Sequence, residues 1–364
     1  MNIEKGEISS SQLIFLIVGF IEGSTFLVYF VSNLAKHDAW LTILSGLAII
    51  VPFCYIYASL AKRFPGLNLA RIHRIVYGRY LGTAISFFYL SYFLLILSLN
   101  IKDVGDFYIN FFMRDTPIEV FSIIFTCVCA YASWKGIEVL ARIAPFIITY
   151  VSLVIIGTTF MLLPKMDFSN FLPIGELTFK NFIHSTQIIA EIPFGELIVV
   201  LPLAFALSDN KPKVKTFLSA LLLAAAFFMI ITIRNTAVLG NTEALLVSPS
   251  FQVARLINLG FLSRLDILFA AGHTFGIFLK CSVLFYVTAL FFSQILELRT
   301  YLPMLFPLGC ITIILGIILY PSSPAHLQSA QNVEIMYFFP LIFIFPPLSL
   351  FIAKIRNLPK KGYR

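Results

Sequence analysis

Ten apolar runs of about twenty residues each constrain the fold of this chain more than any other feature. A run of that length crosses the hydrocarbon core of a bilayer as an α-helix, because a helix satisfies its own backbone hydrogen bonds where water is absent. The predicted spans are residues 11–32, 40–61, 81–101, 117–134, 142–163, 183–207, 216–239, 265–295, 301–320 and 335–355. The sequence therefore predicts an all-α integral membrane protein with ten transmembrane helices.

Charged residues are too few for a water-soluble surface. They make up 12% of the 364 residues, whereas about 25% of the residues of a soluble domain are charged. Apolar residues make up 59%, compared with about 45–50% in soluble domains. The formal charge of +8 comes from short Lys and Arg clusters between the apolar runs. Placing the N-terminus in the cytoplasm puts most of these clusters on the cytoplasmic side, so both termini are predicted to be cytoplasmic. We expect membrane lipid around the chain and no nucleic-acid partner.

The chain carries no sequence signature of catalysis or metal binding. A phosphate-binding loop, an HExxH zinc motif and a GxSxG nucleophile elbow are all missing. The cysteines lie inside apolar runs, where they behave as small hydrophobes. They are Cys54, Cys127, Cys129, Cys281 and Cys310. We therefore expect neither an enzyme nor a cofactor or metal site.

The first and sixth spans contain matching interruptions near their centres. The first, expected to be retained because no cleavage site follows it, reads LIVGFIEGST over residues 16–25, and the sixth reads EIPFGE over residues 191–196. Each sets glycine beside a carboxylate, and Pro193 removes a backbone donor. The two spans open halves of five helices each, and an odd number inverts one half relative to the other. Paired interruptions in inverted halves point to a solute site at the membrane midplane.

Close helix packing is the competing explanation of the glycines. Gly19 and Gly23 form a GxxxG pair, as do Gly272 and Gly276 in the eighth span, and such pairs let helices approach closely. The first pair coincides with Glu22, and the matching break in the sixth span contains a proline. This coincidence favours a cavity.

Several ionisable side chains fall inside predicted spans, where a central charge costs roughly 2.5–3.5 kcal/mol. They are Glu22, Glu191, Glu196, Arg234, His273 and Lys280. Lys280 lies near the middle of its span, so we predict an ion pair with Glu196 or Glu22, between which the sequence does not choose. Arg234 lies near a span end, which favours snorkelling or the anchoring of a loop at least as much as ligand contact. Glu191 is expected to be solvated at the outer mouth of the cavity.

Two further patterns have helical spacing. Tyr89, Tyr92 and Ile96 share one face of the third span. Such a stripe is typical of a core, and Tyr92 is central enough to wall a pocket. Residues 248–262 carry a polar side chain at every third position among apolar ones, which predicts a short extracytoplasmic helix on the membrane surface.

Three distributed motifs carry a resemblance to a known family. They are FPGLNL at residues 64–69 followed by GRYLG at 78–82, GIEVLAR at 136–142, and RNTAVLG at 234–240. Together with the ten spans, they make the chain resemble, over essentially its whole length, the permease-like B subunit of the nutrient germinant receptors of endospore-forming bacteria. That family is a branch of the amino acid–polyamine–organocation transporter superfamily.

The resemblance implies a leucine-transporter-type fold, a 5+5 inverted repeat in which helices 1 and 6 are broken. It also implies a larger membrane subunit and a lipoprotein subunit as partners, the spore inner membrane as the location, and an amino acid or similar small nutrient as the ligand. The ligand site would lie between helices 1, 3, 6 and 8. The candidate ligand-binding residues are Gly19, Glu22, Gly23, Ser24, Thr25, Tyr92, Ile192, Phe194, Gly195, Glu196 and Lys280.

This chain departs from the family pattern in its first span. Relatives often have a proline a few residues after the first-span glycines, where this chain reads STFLVY over residues 24–29. Because Glu22 lies inside the break, a cationic or amine-bearing ligand is an alternative to the ligands of those relatives. Two functions follow: a sensor whose ligand shifts a conformational equilibrium that partner subunits read, or a proton- or cation-coupled transporter of amino acids or amines. A channel or a scaffold would leave the breaks unexplained.

Overall fold

The computed structural model describes residues 6–24, 29–65, 67–206, 214–257 and 265–359. The regular elements of these residues are helices, which confirms the all-α prediction. Their order along the chain follows the predicted spans.

The described part of the first half contains seven α-helices. They are α1 (Ser10–Glu22), α2 (Tyr29–Ala35), α3 (Ala39–Arg63), α4 (Leu69–Tyr77), α5 (Arg79–Phe111), α6 (Ile118–Trp134) and α7 (Ile137–Leu162). Short 3₁₀ turns at Lys36–Asp38, Leu163–Lys165 and Phe168–Phe171 lie between or after them. The first predicted span coincides with α1 and α2 together.

The second half begins with another divided span. Its α-helices are α8 (Phe179–Glu191), α9 (Leu197–Val200), α10 (Val214–Leu239), α11 (Pro249–Arg255), α12 (Asp266–Ile295), α13 (Leu302–Ile318), α14 (Ser323–Ser329), α15 (Ile335–Phe339) and α16 (Phe345–Ile355). Two 3₁₀ turns, Leu201–Ala206 and Gly240–Leu245, follow α9 and α10. Two π-helical segments, Ala330–Glu334 and Pro340–Ile344, join α14, α15 and α16 into one continuous stretch.

Six helical stretches among the described residues are long and apolar enough to cross a membrane. They are Phe30–Arg63, Arg79–Phe111, Ile137–Lys165, Val214–Leu245, Asp266–Ile295 and Ser323–Ile355. The apolar helices α1, α6 and α13 are shorter. The total of ten membrane crossings therefore stays a prediction.

Two stretches extend beyond their predicted ends. α5 continues past residue 101 to Phe111, and the last stretch begins at Ser323 instead of residue 335. Both extensions contain charged side chains that are buried with partners, such as Lys102, whose ammonium lies 2.8 Å from Asp106. A charged residue whose charge is matched does not end a helix.

The segment 248–262, predicted as a surface helix, contains a short helix, and its place on the membrane surface stays a prediction. α11 covers Pro249–Arg255, and residues 258–262 lie outside the described residues. Its Phe251 is buried, with its ring 4.6 Å from that of Phe111 at the end of α5. Thus the apolar side of α11 packs on protein.

α12 is the most deeply buried of the six long stretches, and α1 packs directly against it. The approach is possible because Gly23, just after α1, has no side chain. A Cβ atom there would lie 2.6 Å from the Cβ of Lys280 and 2.9 Å from the carbonyl oxygen of Gly276. A Cβ on Gly19 would lie 2.4 Å from Leu279. The packing explanation of this glycine pair therefore holds, and it applies at the break itself.

The contact predicts that Gly23→Ala lowers thermal stability in detergent, because the added methyl overlaps atoms that cannot move aside. Overpacking of this kind costs about 1–3 kcal/mol. Gly272→Ala is the matched control, since its added Cβ would meet its nearest neighbour, Tyr150, at an ordinary 3.6 Å. Equal stability of Gly23→Ala and the parent would contradict the close packing of α1 on α12.

Candidate ligand-binding site

The first interruption begins where α1 ends at Glu22. The N–H of Gly23 donates to the carbonyl of Gly19, and the N–H of Ser24 donates to that of Ile21. The next described helix, α2, begins at Tyr29. Thr25, one of the predicted ligand contacts, lies outside the described residues.

The second interruption separates α8 from α9. α8 ends at Glu191, Ile192 is extended, and residues 193–196 form turns before α9 begins at Leu197. Pro193 cannot donate to the helical ladder. A Cβ on Gly195 would lie 2.7 Å from the carbonyl of Ala190, so only glycine fits this turn. The sixth span is thus broken where its sequence predicted.

A buried ion pair joins the two interruptions to α12. The ammonium of Lys280 lies 2.7 Å from a carboxylate oxygen of Glu196. It also donates a 2.5 Å hydrogen bond to the hydroxyl of Ser24, which in turn donates to Glu196 at 3.4 Å. All three side chains are almost fully buried. Of the two partners that the sequence left open for Lys280, the structure selects Glu196.

The surroundings of Lys280 suit a cation. Its aliphatic stem lies along Gly23, and its ammonium lies 5.5 Å from the ring centroid of Phe20. The C-terminal end of α1 is directly adjacent, and the carbonyls of a helix C-terminus carry partial negative charge. The missing side chain of Gly23 therefore both admits α12 and makes room for its lysine.

A cavity of about 20 Å³ lies beside this ion pair. Glu196 and Ile192 of the second interruption form one wall, and Ile96 of α5 and Phe338 of α15 form others. A space of this size holds one water molecule, so a nutrient would need neighbouring side chains to move. Tyr92 is fully buried next to it, with its ring 4.7 Å from that of Phe338. The Tyr92 hydroxyl has no hydrogen-bond partner among the described residues.

Glu22 lies apart from this cluster. Its carboxylate lines a second cavity, of about 30 Å³, between α7, α10, α12 and the start of α11. His273, Asn235 and Ser248 line the same space. Neither carboxylate oxygen of Glu22 has a hydrogen-bond partner within the described part of the chain. The two carboxylates that the sequence placed in one pocket therefore serve two separate cavities.

The remaining residues predicted to contact a ligand pack against other parts of the protein in this conformation. Phe194 is buried against Phe228, with the ring centroids 6.0 Å apart. Gly19 and Gly195 contact their neighbours too closely to leave space for a ligand. Of the predicted set, the structure thus brings together Gly23, Ser24, Ile192, Glu196 and Lys280, with Tyr92 nearby.

Two charged residues differ from their expected environments. Glu191 was expected in solvent but is fully buried, and it accepts a 2.9 Å hydrogen bond from Gln187 in the preceding turn of α8. Arg234 does not snorkel. It is buried and donates to Thr158 at 2.9 Å and to Asn235, which donates to Ser250 in α11. The alternative of loop anchoring describes Arg234 correctly.

The sequence missed a second group of buried charges. Asp103, His326 and Glu334 lie together on the far side of the 20 Å³ cavity from the ion pair. None of them lay inside a predicted span, because the third span was ended at residue 101 and the tenth was begun at residue 335. The spacing of Lys102 and Asp106, one helical turn apart, was the signal that the helix continues.

Comparison with known families and sequences gives a consistent result. The family described as "Spore germination protein" matches residues 7–324. Spore germination protein KB of Bacillus subtilis (strain 168) is 29% identical in an alignment 363 residues long, which covers 97% of this chain and 96% of the relative. Spore germination protein YndE of the same organism is 22% identical over 75% of this chain and 77% of its own length.

Solved structures share the fold at low sequence identity. MhsT in complex with L-phenylalanine has a TM-score of 0.71 and 14% identity, covering 97% of this chain and 89% of its own. A Na⁺-coupled sialic acid symporter in a substrate-bound, outward-open state has a TM-score of 0.66 and 12% identity. The match covers 93% of this chain and 80% of the symporter. These likenesses confirm the transporter fold of the leucine-transporter type.

The ion pair predicts a non-additive response to mutation. Lys280→Met leaves a buried carboxylate without its cation, and Glu196→Gln leaves a buried ammonium, so each should cost about 3–5 kcal/mol of stability. The double variant removes both charges and should recover most of that loss in thermal unfolding measured in detergent.

The control is the exposed pair of Arg142 and Glu138, whose charged atoms are 3.5 Å apart. Arg142→Gln should cost less than about 1 kcal/mol. If the two losses at Lys280 and Glu196 simply add in the double variant, the side chains do not form the pair.

Proposed function

Since the chain belongs to the spore germination protein family, we propose that it is the permease-like, nutrient-sensing subunit of a germinant receptor. It binds a small nutrient, such as an amino acid, between the interruptions of the first and sixth spans. The binding changes the conformation of the chain and signals to partner subunits to start germination.

The observation that carries this proposal is the junction of Lys280, Glu196 and Ser24. A free amino acid has one ammonium and one carboxylate, the same two charges that this junction holds in contact at 2.7 Å. Interrupted helices in a membrane turn their backbone dipoles toward such ligands. The ligand ammonium would pair with Glu196, and the ligand carboxylate with Lys280.

Ligand binding would thus replace one internal ion pair by two pairs to the ligand. The internal pair holds α12 against both interruptions through Ser24. Exchange of partners loosens that connection, so the ligand binds preferentially to a state in which α12 has moved relative to α1. A ligand shifts a conformational equilibrium only by such a difference in affinity.

The setting of this activity follows the family. We propose that the chain resides in the spore inner membrane with both termini in the cytoplasm, and that it assembles with a larger membrane subunit and a lipoprotein subunit. The exposed apolar side chains on α5, α6 and α13, such as Phe87, Ile124 and Phe306, offer surface for lipid or for these partners.

A coupled transporter is the second candidate function. It is supported by the solved structures of the same fold, one of which is a Na⁺-coupled symporter. The unpartnered carboxylate of Glu22 in its own cavity is the feature that suits a coupling proton or cation. The two functions differ in whether solute crosses the bilayer.

Tyr92→Phe tests the ligand site without disturbing the fold. The substitution removes a buried hydroxyl that has no partner among the described residues, so stability should not fall. If the hydroxyl contacts the nutrient, affinity should drop about tenfold, the equivalent of 1.4 kcal/mol. The measurement is equilibrium binding of the standard L-amino acids and simple sugars to purified protein.

Thr126→Val is the matched control, because it removes a buried hydroxyl of α6 that also lacks a described partner and lines neither cavity. It should leave binding unchanged. Unaltered affinity in Tyr92→Phe removes Tyr92 from the site, and failure of every nutrient to bind the parent contradicts the proposal.

Uptake into proteoliposomes separates sensor from transporter. A sensor should bind its nutrient and show no accumulation of the radiolabelled compound, with or without an imposed pH or Na⁺ gradient. Saturable accumulation that depends on a gradient, and that is lost in Glu22→Gln, would establish the transporter instead.

A further inference from the structure

Three ionisable side chains form a buried cluster that the proposed function does not use. A ring nitrogen of His326, Nδ1, lies 3.2 Å from a carboxylate oxygen of Asp103, and the other, Nε2, lies 3.7 Å from one of Glu334. Each of the three residues is at most 5% exposed. The imidazole is held between aromatic rings, stacked on Tyr320 at 5.2 Å and edge-on to Phe30 at 5.5 Å.

The charges around this cluster leave His326 as its cation. On α5, Lys102 is paired with Asp106 at 2.8 Å, and Asp106 also accepts from Ser323. At the other end of the shared cavity, Glu196 is paired with Lys280. Among the described residues, the titratable groups that then face His326 are Asp103, Glu334 and the phenol of Tyr320. Two buried carboxylates therefore share one imidazole, which becomes cationic when it binds a proton.

The segment that carries His326 and Glu334 connects the elements around the cavity. We call residues 323–334 the latch. Its Gln331 donates to the carbonyl of Phe30 at 2.7 Å and to Asn33 at 2.8 Å, both in α2. His184 of α8 contacts the carbonyl of Gln331 at 2.6 Å. Through His326 the latch also meets Asp103 of α5, so it joins three elements that surround the ligand cavity.

The backbone of the latch is irregular at its C-terminal end. It ends in the π-helical segment Ala330–Glu334, whose hydrogen bonds depart from the regular α-helical pattern. Such segments are frequent at functional sites. His326 lies before this segment and Glu334 at its end, and both line the cavity that reaches Glu196.

We propose that Asp103, His326 and Glu334 form a proton-binding site that closes the latch over the ligand cavity. One proton from bulk water adds to the imidazole of His326, and no other bond forms or breaks. The imidazolium attracts Asp103 on α5 and Glu334 across the π-helical segment, which holds the latch against α5. Loss of that proton leaves the two carboxylates on either side of a neutral ring, without a cation, so the latch separates and water enters. The proposal rests on the proposed function for the identity of the cavity as a ligand site.

The test measures access to the cavity without any ligand. Leu99→Cys introduces a thiol into the cavity wall, and a small methanethiosulfonate reagent reports its exposure from about pH 5 to about pH 9, the range in which histidine changes charge. The rate at each pH is divided by the rate for the same protein when unfolded, because the thiolate fraction rises with pH. The protein without the new cysteine gives the background from its natural thiols.

A protonation-controlled latch should make the normalised rate at least tenfold lower at the acidic end than at the basic end. His326→Gln, which cannot carry the charge, should react at the fast rate throughout. His73→Gln is the matched control, since His73 is also buried but contacts the hydroxyl of Ser86 and, among the described residues, no carboxylate. It should keep the pH dependence of the parent.

Asp103→Asn keeps the test decisive if His326→Gln does not fold. Removal of one anion weakens proton binding, so the transition should move to lower pH, whereas a purely structural Asp103 would not shift it. A flat normalised rate in the parent, an unchanged transition in His326→Gln, or an unmoved midpoint in Asp103→Asn would overturn the proposal. Because no nutrient is present, a pH-dependent rate supports the latch even where the binding assays fail, and a flat rate rejects it even where they succeed.

Discussion

The Lys280–Glu196 ion pair is the interaction on which the centre of this molecule depends. Buried charges are costly in a bilayer unless each is matched, and loss of one partner strands the other. Through Ser24 the pair fastens α12 to both interruptions at once. The breaks are therefore held as a single junction, which a ligand with both charges could replace.

Much of this arrangement was predictable because it follows from local chemistry. Apolar runs of membrane length determine the helices, and the glycines and Pro193 determine where two of them stop. Packing and cavity formation were weighed as competing explanations of Gly23. The structure supports the packing explanation, since α12 approaches at Gly23 and Lys280 lies along it.

The rest could not be predicted because it depends on partners distant in sequence. A hydropathy criterion treats each residue alone, so it ended the third span before Asp103 and began the tenth after His326. These residues lie on the extended parts of their helices and meet inside the protein, with His326 Nδ1 3.2 Å from the Asp103 carboxylate. The orientation of the Glu22 side chain could not be predicted from the sequence either. Glu22 is the last residue before the break, so the packing of α1 on α7, α10 and α12 decides where its side chain points. It faces a cavity of its own.

The two π-helical segments of the last stretch also affect its register. A π-helical turn accommodates one residue more than an α-helical turn, and one residue corresponds to a rotation of about 100° around a helix axis. The segment Ala330–Glu334 therefore sets the angle between His326 before it and Phe338 after it, both of which line the same cavity. A homologue with a regular α-helix here would align with a one-residue gap, and its side chains beyond the gap would keep the same face toward this cavity. The loss of one residue from this segment would thus remove the π-helical turn while leaving Phe338 at the cavity.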